Sequence, residues 1–230
     1  MERMLITGAS RGIGEAIALG LAGPGRELIL HGRDAGALAK VAVQVGSRGA
    51  AARVVVADLR ASEGIATLVT AGNEGPLAAL IHNAGIGVVK PVEKITLGEW
   101  RRSLDIMLTA PFLLSRDLLP SLSAGSSIVH VLSVAARRGF PGWGAYCAAK
   151  FALEGFSQCL REELRPRGIR VINIYPAATD STLWDGVQGE WSRDRMLPPA
   201  EVAEAVAYAL GRPASALVEG LSIGHVSGAL

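Results

Sequence analysis

Three stretches of this sequence carry residue types whose spacing could do chemistry. In Tyr146-Cys147-Ala148-Ala149-Lys150 a phenol and an ammonium stand four residues apart. On a helix such a pair shares a face, one turn apart. A neighbouring cation stabilises phenolate, so Lys150 is expected to draw the Tyr146 pKa from about 10 toward neutrality and make it a usable proton donor and acceptor. A packed tyrosine beside a solvated lysine is the plainer reading, but with only three Tyr in the chain the pairing is rare by chance. Thirteen residues earlier, Ser133 follows an apolar run, where its hydroxyl can bond a substrate carbonyl oxygen.

The second stretch is Thr7-Gly8-Ala9-Ser10-Arg11-Gly12-Ile13-Gly14, a G-x-x-x-G-x-G spacing between an apolar run and a helical stretch. Glycine allows a tight turn and close approach of backbone to ligand. Free N–H groups and the positive dipole end at the helix start attract a pyrophosphate. Among 28 Gly a cluster alone says little; its place between strand and helix makes Gly8, Ser10, Arg11, Gly12, Ile13 and Gly14 a nucleotide cradle. The third stretch, His31-Gly32-Arg33-Asp34, decides which nucleotide. An NAD site places an acid near the ribose 2′-hydroxyl. Here Gly32 removes that acid, Asp34 reads as a helix N-cap, and Arg33 with Arg11 can pair with a 2′-phosphate. NADP(H) is therefore the expected cofactor. Asp58 and Leu59, just past the third apolar run, are placed to meet the adenine, or else form a plain turn.

The elements that must hold these residues alternate. Strand-like runs occur at Met4–Thr7, Glu27–His31, Arg53–Ala57, Ala78–Asn83, Ser127–Leu132, Arg170–Tyr175 and, weakly, Leu221–His225. Helix-like stretches lie at 12–22, 34–47, 61–72, 96–119, 144–166 and 199–210. Several runs are continuously apolar, as parallel strands covered on both faces require. The alternation predicts an α/β fold: one Rossmann-like, doubly wound parallel sheet with helices on both faces, spanning 1–230 as a single domain. The irregular segment 177–198, with Trp184 and Trp191, is expected to be a substrate lid.

Composition removes other classes. At 50% apolar and 19% charged residues the chain can bury a core, which excludes disorder. No apolar run reaches the roughly 18 residues of a membrane span. A net charge of +2 with scattered arginines gives no nucleic-acid footprint. Cys147 and Cys159 lie too far apart on one helix to bridge, and Met1–Arg3 leads into the first strand without the apolar core of a signal peptide, so reduced thiols and the cytoplasm are expected. His31, His82, His130 and His225 match no metal spacing and read as structural, so no metal is expected.

Together these residues resemble the short-chain dehydrogenase/reductase family, NAD(P)-dependent oxidoreductases with a single Rossmann-like domain. The resemblance covers nearly the whole chain. It rests on the turn at 7–14, Asp58, Asn83-Ala84-Gly85, Ser133, Tyr146, Lys150 and Pro176. It implies that Asn83, Ala84 and Gly85 steady the sheet near the cofactor. It further implies that Ser133 orients a carbonyl, Tyr146 transfers the proton, and Lys150 holds the nicotinamide ribose. Residues after Pro176 would wrap the nicotinamide, with Thr179 and Ser181 bonding its carboxamide. Two positions depart from the family pattern: Ala177 replaces a glycine, tolerable at negative φ, and Met107 replaces an asparagine that serves a proton relay. Apolar residues on more than one face of 104–119 and 147–160 fit the family's paired helices and a homodimer or homotetramer. The expected activity is reduction of a small-molecule carbonyl by NADPH. The alternatives are a 3-oxoacyl-[acyl-carrier-protein] reductase, which would want a basic patch such as Arg137 and Arg138, and a cofactor-binding sensor or scaffold without turnover, which Met107 favours.

Overall fold

Strands that are apolar on both faces need a cover on each, and the chain supplies two. The computed structural model describes residues 1–187 and 191–228. Its strands are β1 (Glu2–Ile6), β2 (Arg26–Gly32), β3 (Ala51–Val56), β4 (Leu77–His82), β5 (Leu122–Val131), β6 (Arg170–Pro176) and β7 (Gly220–Ile223). They form one seven-stranded sheet in the order β3-β2-β1-β4-β5-β6-β7, every pairing parallel. The helices are α1 (Gly12–Leu21), α2 (Ala35–Ser47), α3 (Ser62–Asn73), α4 (Leu97–Leu104), α5 (Ala110–Asp117), α6 (Gly144–Leu164) and α7 (Pro199–Leu210). Ile17, Leu38 and Val202, from α1, α2 and α7, pack with Met4 and Ile6 on one face of the sheet. Leu68, Leu114 and Ala149, from α3, α5 and α6, pack with Leu5 on the other. Each such Ile, Leu, Val or Met side chain, fully buried, stabilises the fold by about 1.5–3 kcal/mol relative to exposure.

The strand order reverses between β1 and β4. After β3 the chain crosses back under the sheet, so the loops that follow β1 and β4 part company there. That opens a crevice at the carboxyl ends of the strands. Asp34 caps α2 as expected, its carboxylate accepting from the Ala37 N–H at 3.0 Å.

One expected element is divided. The helix predicted over 96–119 stops at Leu104, widens into a π turn at Asp105–Thr109, and resumes as α5. Pro111 is the physical reason. It has no N–H to give the carbonyl of Met107 four residues back, and its ring would clash there, so the backbone opens by one residue. The expected lid at 177–198 includes 188–190, which lie outside the described residues. Its described part makes short 3₁₀ turns at Trp184–Gly186 and Arg193–Arg195, a bridge between Thr179 and Leu197, and ion pairs from Arg193 to Asp180 and Asp185.

Two glycines test the packing with opposite signs. A Cβ on Gly64 would stand 2.1 Å from the Asp58 carbonyl oxygen, whereas one on Gly46, within α2, would meet nothing within 4 Å. Gly64→Ala should cost about 1–3 kcal/mol through overpacking. Gly46→Ala should be neutral or gain up to about 1 kcal/mol. Urea unfolding reads both, and equal midpoints for the two variants would contradict this packing.

Candidate active site

The glycine-rich turn sits at the mouth of the crevice. Gly8 and Gly12 have φ of 69° and 58°, a region that side chains disfavour. Gly14 is needed for a different reason: a Cβ there would lie 2.1 Å from the carbonyl oxygen of Gly8. Three neighbours lock the turn. Asn83 Nδ2 donates to the carbonyls of Thr7 and Gly8 at 3.0 and 3.1 Å. Thr7 Oγ1 accepts from the N–H groups of Asn83 and Ala84 and donates to the Ile81 carbonyl. His31 Nδ1 accepts from the Gly8 N–H, which leaves Nε2 as donor to the Ala57 carbonyl. Burial keeps that imidazole neutral, pushing its pKa down to about 4.

A cleft of about 500 Å³ runs along this turn. Gly8, Ser10, Arg11, Gly12, Ile13 and Gly14 border it. Arg33, Asp58, Leu59, Asn83, Ala84, Gly85 and Lys150 border it as well. The site thus gathers nearly all the predicted cofactor residues. Pro176 and Thr179 instead border an adjoining cavity of about 250 Å³, and Ser181 borders both. Ala177 has negative φ, so its methyl is accommodated. Asp58 is spent locally: Arg60 holds its carboxylate, bringing the pKa down to about 2. Arg11 precedes α1 without a capping side-chain bond, so the first-turn N–H groups can serve an anion. With Arg33 and no acid at Gly32, these donors suit a dinucleotide carrying a 2′-phosphate.

Ser133, Tyr146 and Lys150 meet where cleft and cavity join. Ser133 follows β5, and its Oγ accepts from the Ala135 N–H at 3.1 Å, which leaves the hydroxyl hydrogen free to donate. Tyr146 lies in the first turn of α6 and borders both spaces. Lys150, 4% exposed, donates from Nζ to the Val131 carbonyl at 2.7 Å. The expected lowering of the Tyr146 pKa is not what the geometry gives. Burial pushes the phenol up to about 12, opposed by the Ser133 hydroxyl. The ammonium stands 5.6 Å from the ring centroid and is committed to a strand carbonyl. Desolvation of the phenolate therefore outweighs its charge. Burial also lowers Lys150 itself, to about 8.

Sequence reading missed how Met107 and two histidines are used. Met107 is buried in the π turn with its Sδ against Gly85. His82 and His130 stack at 5.1 Å beneath the site, bonded to Ser115 and Ser157. Ser157 passes the chain on to Asn173 at 2.6 Å. The signal was available: histidines one residue before Asn83 and three before Ser133, on adjacent strands.

Fold and crevice define a Rossmann-like α/β protein with its open cleft at the strand switch point. Residues 2–191 match the family model described as short chain dehydrogenase. An uncharacterised oxidoreductase of Staphylococcus saprophyticus is 30% identical over 225 residues, 95% of each chain. An alcohol dehydrogenase from the archaeon Thermococcus sibiricus, solved with 5-hydroxy-NADP, superposes with a TM-score of 0.89 at 27% identity, over 99% of this chain and 98% of that one. A short chain dehydrogenase from Burkholderia cenocepacia, solved with NADP, gives 0.88 at 31% identity, over 97% and 96%. The chain belongs to the short chain dehydrogenase family of NAD(P)-dependent oxidoreductases, which interconvert CH–OH and C=O groups.

The buried imidazoles set an acid limit on stability. Unfolded histidine titrates near 6.5, whereas burial holds His31 at about 4, His130 at about 3 and His82 well below its ordinary value. Between these limits the unfolded chain binds protons that the folded chain refuses, so stability falls as pH falls. The urea midpoint should drop steadily from pH 7 to pH 4.5. A flat profile over that range would contradict the burial of these groups.

Proposed function

We propose that this chain is an NADPH-dependent carbonyl reductase in which Ser133, Tyr146 and Lys150 are the catalytic residues. The observation that carries the reading is the place of Tyr146, at the junction of a nucleotide-sized cleft and a mainly apolar cavity. A bound NADPH would supply two electrons and a hydrogen to the carbonyl carbon. The protein supplies the rest. Ser133 donates to the carbonyl oxygen, holding it toward Tyr146. Tyr146 gives that oxygen its proton, and the alcohol results. A phenol held near pKa 12 keeps its proton at neutral pH, which is the form that reduction consumes. Lys150, protonated below about 8, keeps two further N–H donors for the ribose. NADP(H) rather than NAD(H) is supported by Arg33, Arg11 and the missing acid at Gly32, and by the similar structures solved with NADP derivatives.

The proton that leaves Tyr146 must be replaced. The thioether of Met107 cannot do what an amide does in a water chain. Its carbonyl, four residues before Pro111, which has no N–H to offer it, and set in the opened π turn, is the route we favour. The buried thioether also supports a second reading, a cofactor-binding protein without turnover. An acyl-carrier docking patch gains less support, because Arg137 lies over the Tyr175 ring at 3.5 Å and Arg138 over Phe140 at 4.6 Å. Phe112 and Phe151, 41% and 46% exposed on α5 and α6, support a homodimer or homotetramer, which a monomeric mass by light scattering would contradict. Both cysteines are free, in keeping with the cytoplasm, and among the described residues no helix is long and apolar enough to cross a membrane.

Tyr146→Phe removes the hydroxyl and keeps the ring. Turnover of NADPH with a reducible ketone should fall by about 10² or more while NADPH affinity stays within a few-fold. Retention of most activity would overturn the role of Tyr146. NADPH binding by the unmodified chain without reduction of any carbonyl would favour the second reading.

A further inference from the structure

The cavity beyond Tyr146 has a composition unlike the cleft it joins. Cation and carboxylate side chains, among them Arg11, Arg33, Asp58, Arg102 and Lys150, border the cleft. No described residue bordering the cavity carries a charge. Its outer wall is aromatic: Phe140, Trp143, Trp184 and Trp191. Trp143 stands edge-on to Tyr146 with ring centroids 5.3 Å apart. Trp143 and Trp184 are 5.4 Å apart at 64°, and Trp184 and Trp191 are 4.7 Å apart at 53°. The Trp184 indole N–H donates to the Thr179 carbonyl at 2.9 Å, which fixes that ring against the loop after β6.

If these rings only packed against one another, no space would remain among them. All three indoles instead border open volume that reaches Ser133 and Tyr146. An anionic substrate would lose its water here without gaining a partner. A saturated chain would gain only contact area. A flat ring also gains edge-to-face and offset-stacked contacts, about 0.5–1.5 kcal/mol each beyond area burial. A dry cavity of roughly 150 Å³ holds one benzene ring. The about 250 Å³ here, part of it on the Pro176 side, suits one or two fused rings.

From this we infer that the substrate is an uncharged ketone carried on or beside a flat aromatic ring, held by Trp143, Trp184 and Trp191. The inference rests on the carbonyl reductase reading above and narrows it. The reaction balances as before: a hydride to the carbonyl carbon, a proton from Tyr146 to its oxygen, and oxidised nucleotide with a secondary alcohol as products.

The test uses matched pairs. NADPH oxidation is followed with 1-tetralone against 1-decalone, and with methyl benzoylformate against benzoylformate. In parallel, quenching of tryptophan emission by 1-tetralone and by 1-decalone is titrated in the presence of NADP⁺, which needs no turnover. We expect 1-tetralone to exceed 1-decalone by tenfold or more in both kcat/KM and affinity, and the ester to exceed the anion similarly. Trp184→Leu and Trp191→Leu should bring the tetralone-to-decalone ratio toward one, while Trp191→Phe largely keeps it; a loosened fold alone would lower both ketones together. Equal handling of each pair, or a ratio unmoved by both Leu variants, would overturn the inference. Absence of NADPH oxidation with every carbonyl, alongside ring-selective quenching, would overturn the reductase reading and leave the ring site standing.

Discussion

Everything at this site depends on one close approach, that of α1 to the turn after β1. Gly14 meets the carbonyl oxygen of Gly8 with no room for a methyl between them. That contact lays the start of α1 over the point where the strand order reverses. The helix dipole and its free N–H groups then face the crevice rather than solvent. Asn83 and His31 hold the same turn, one from just past the end of β4 and one from β2, through bonds to Thr7, Gly8 and Ala57. Asn83 is therefore a positioning residue as much as a wall of the cleft. Its amide is spent on backbone carbonyls before any ligand arrives.

The second constraint is electrostatic. One end of the site is lined by charges and the other by rings, and Tyr146 stands between them. Burial works on Tyr146 and Lys150 in opposite directions because each resists the form that carries charge. The result keeps the phenol protonated at neutral pH and brings the ammonium closer to titration, with its pKa at about 8. The raised pKa keeps the proton on the phenol at neutral pH and makes it a weaker acid than free tyrosine. Ser133 completes the arrangement, because its lone pair is taken by the Ala135 N–H and its hydrogen is left to donate.

Much of this was legible in the sequence because it is written in short-range patterns. Apolar runs bounded by Gly and Asp located all seven strands, although β5 begins five residues before the expected Ser127, at Leu122. The Gly8-to-Gly14 spacing marked the turn, and Tyr146 with Lys150 marked the helix face. What was not legible depends on long-range contact. The division of the helix at 105–109 was signalled by Pro111, yet the apolar pattern ran through it. The direction of the Tyr146 shift could not be read from spacing alone, because it depends on burial and on Lys150 choosing the Val131 carbonyl. The stacking of His82 on His130 required the register of β4 against β5, which pairs those two residues directly. Trp184 and Trp191 share the loop after β6, and Trp143, at the start of α6, meets them only when that loop folds back.

The most direct measurement of the central claim is a crystal structure of the chain with NADP⁺. The account places the pyrophosphate over the N–H groups of residues 12–14, the 2′-phosphate between Arg11 and Arg33, and the nicotinamide beside Tyr146 and Pro176. A nucleotide bound away from the turn, or a nicotinamide remote from Tyr146, would contradict it.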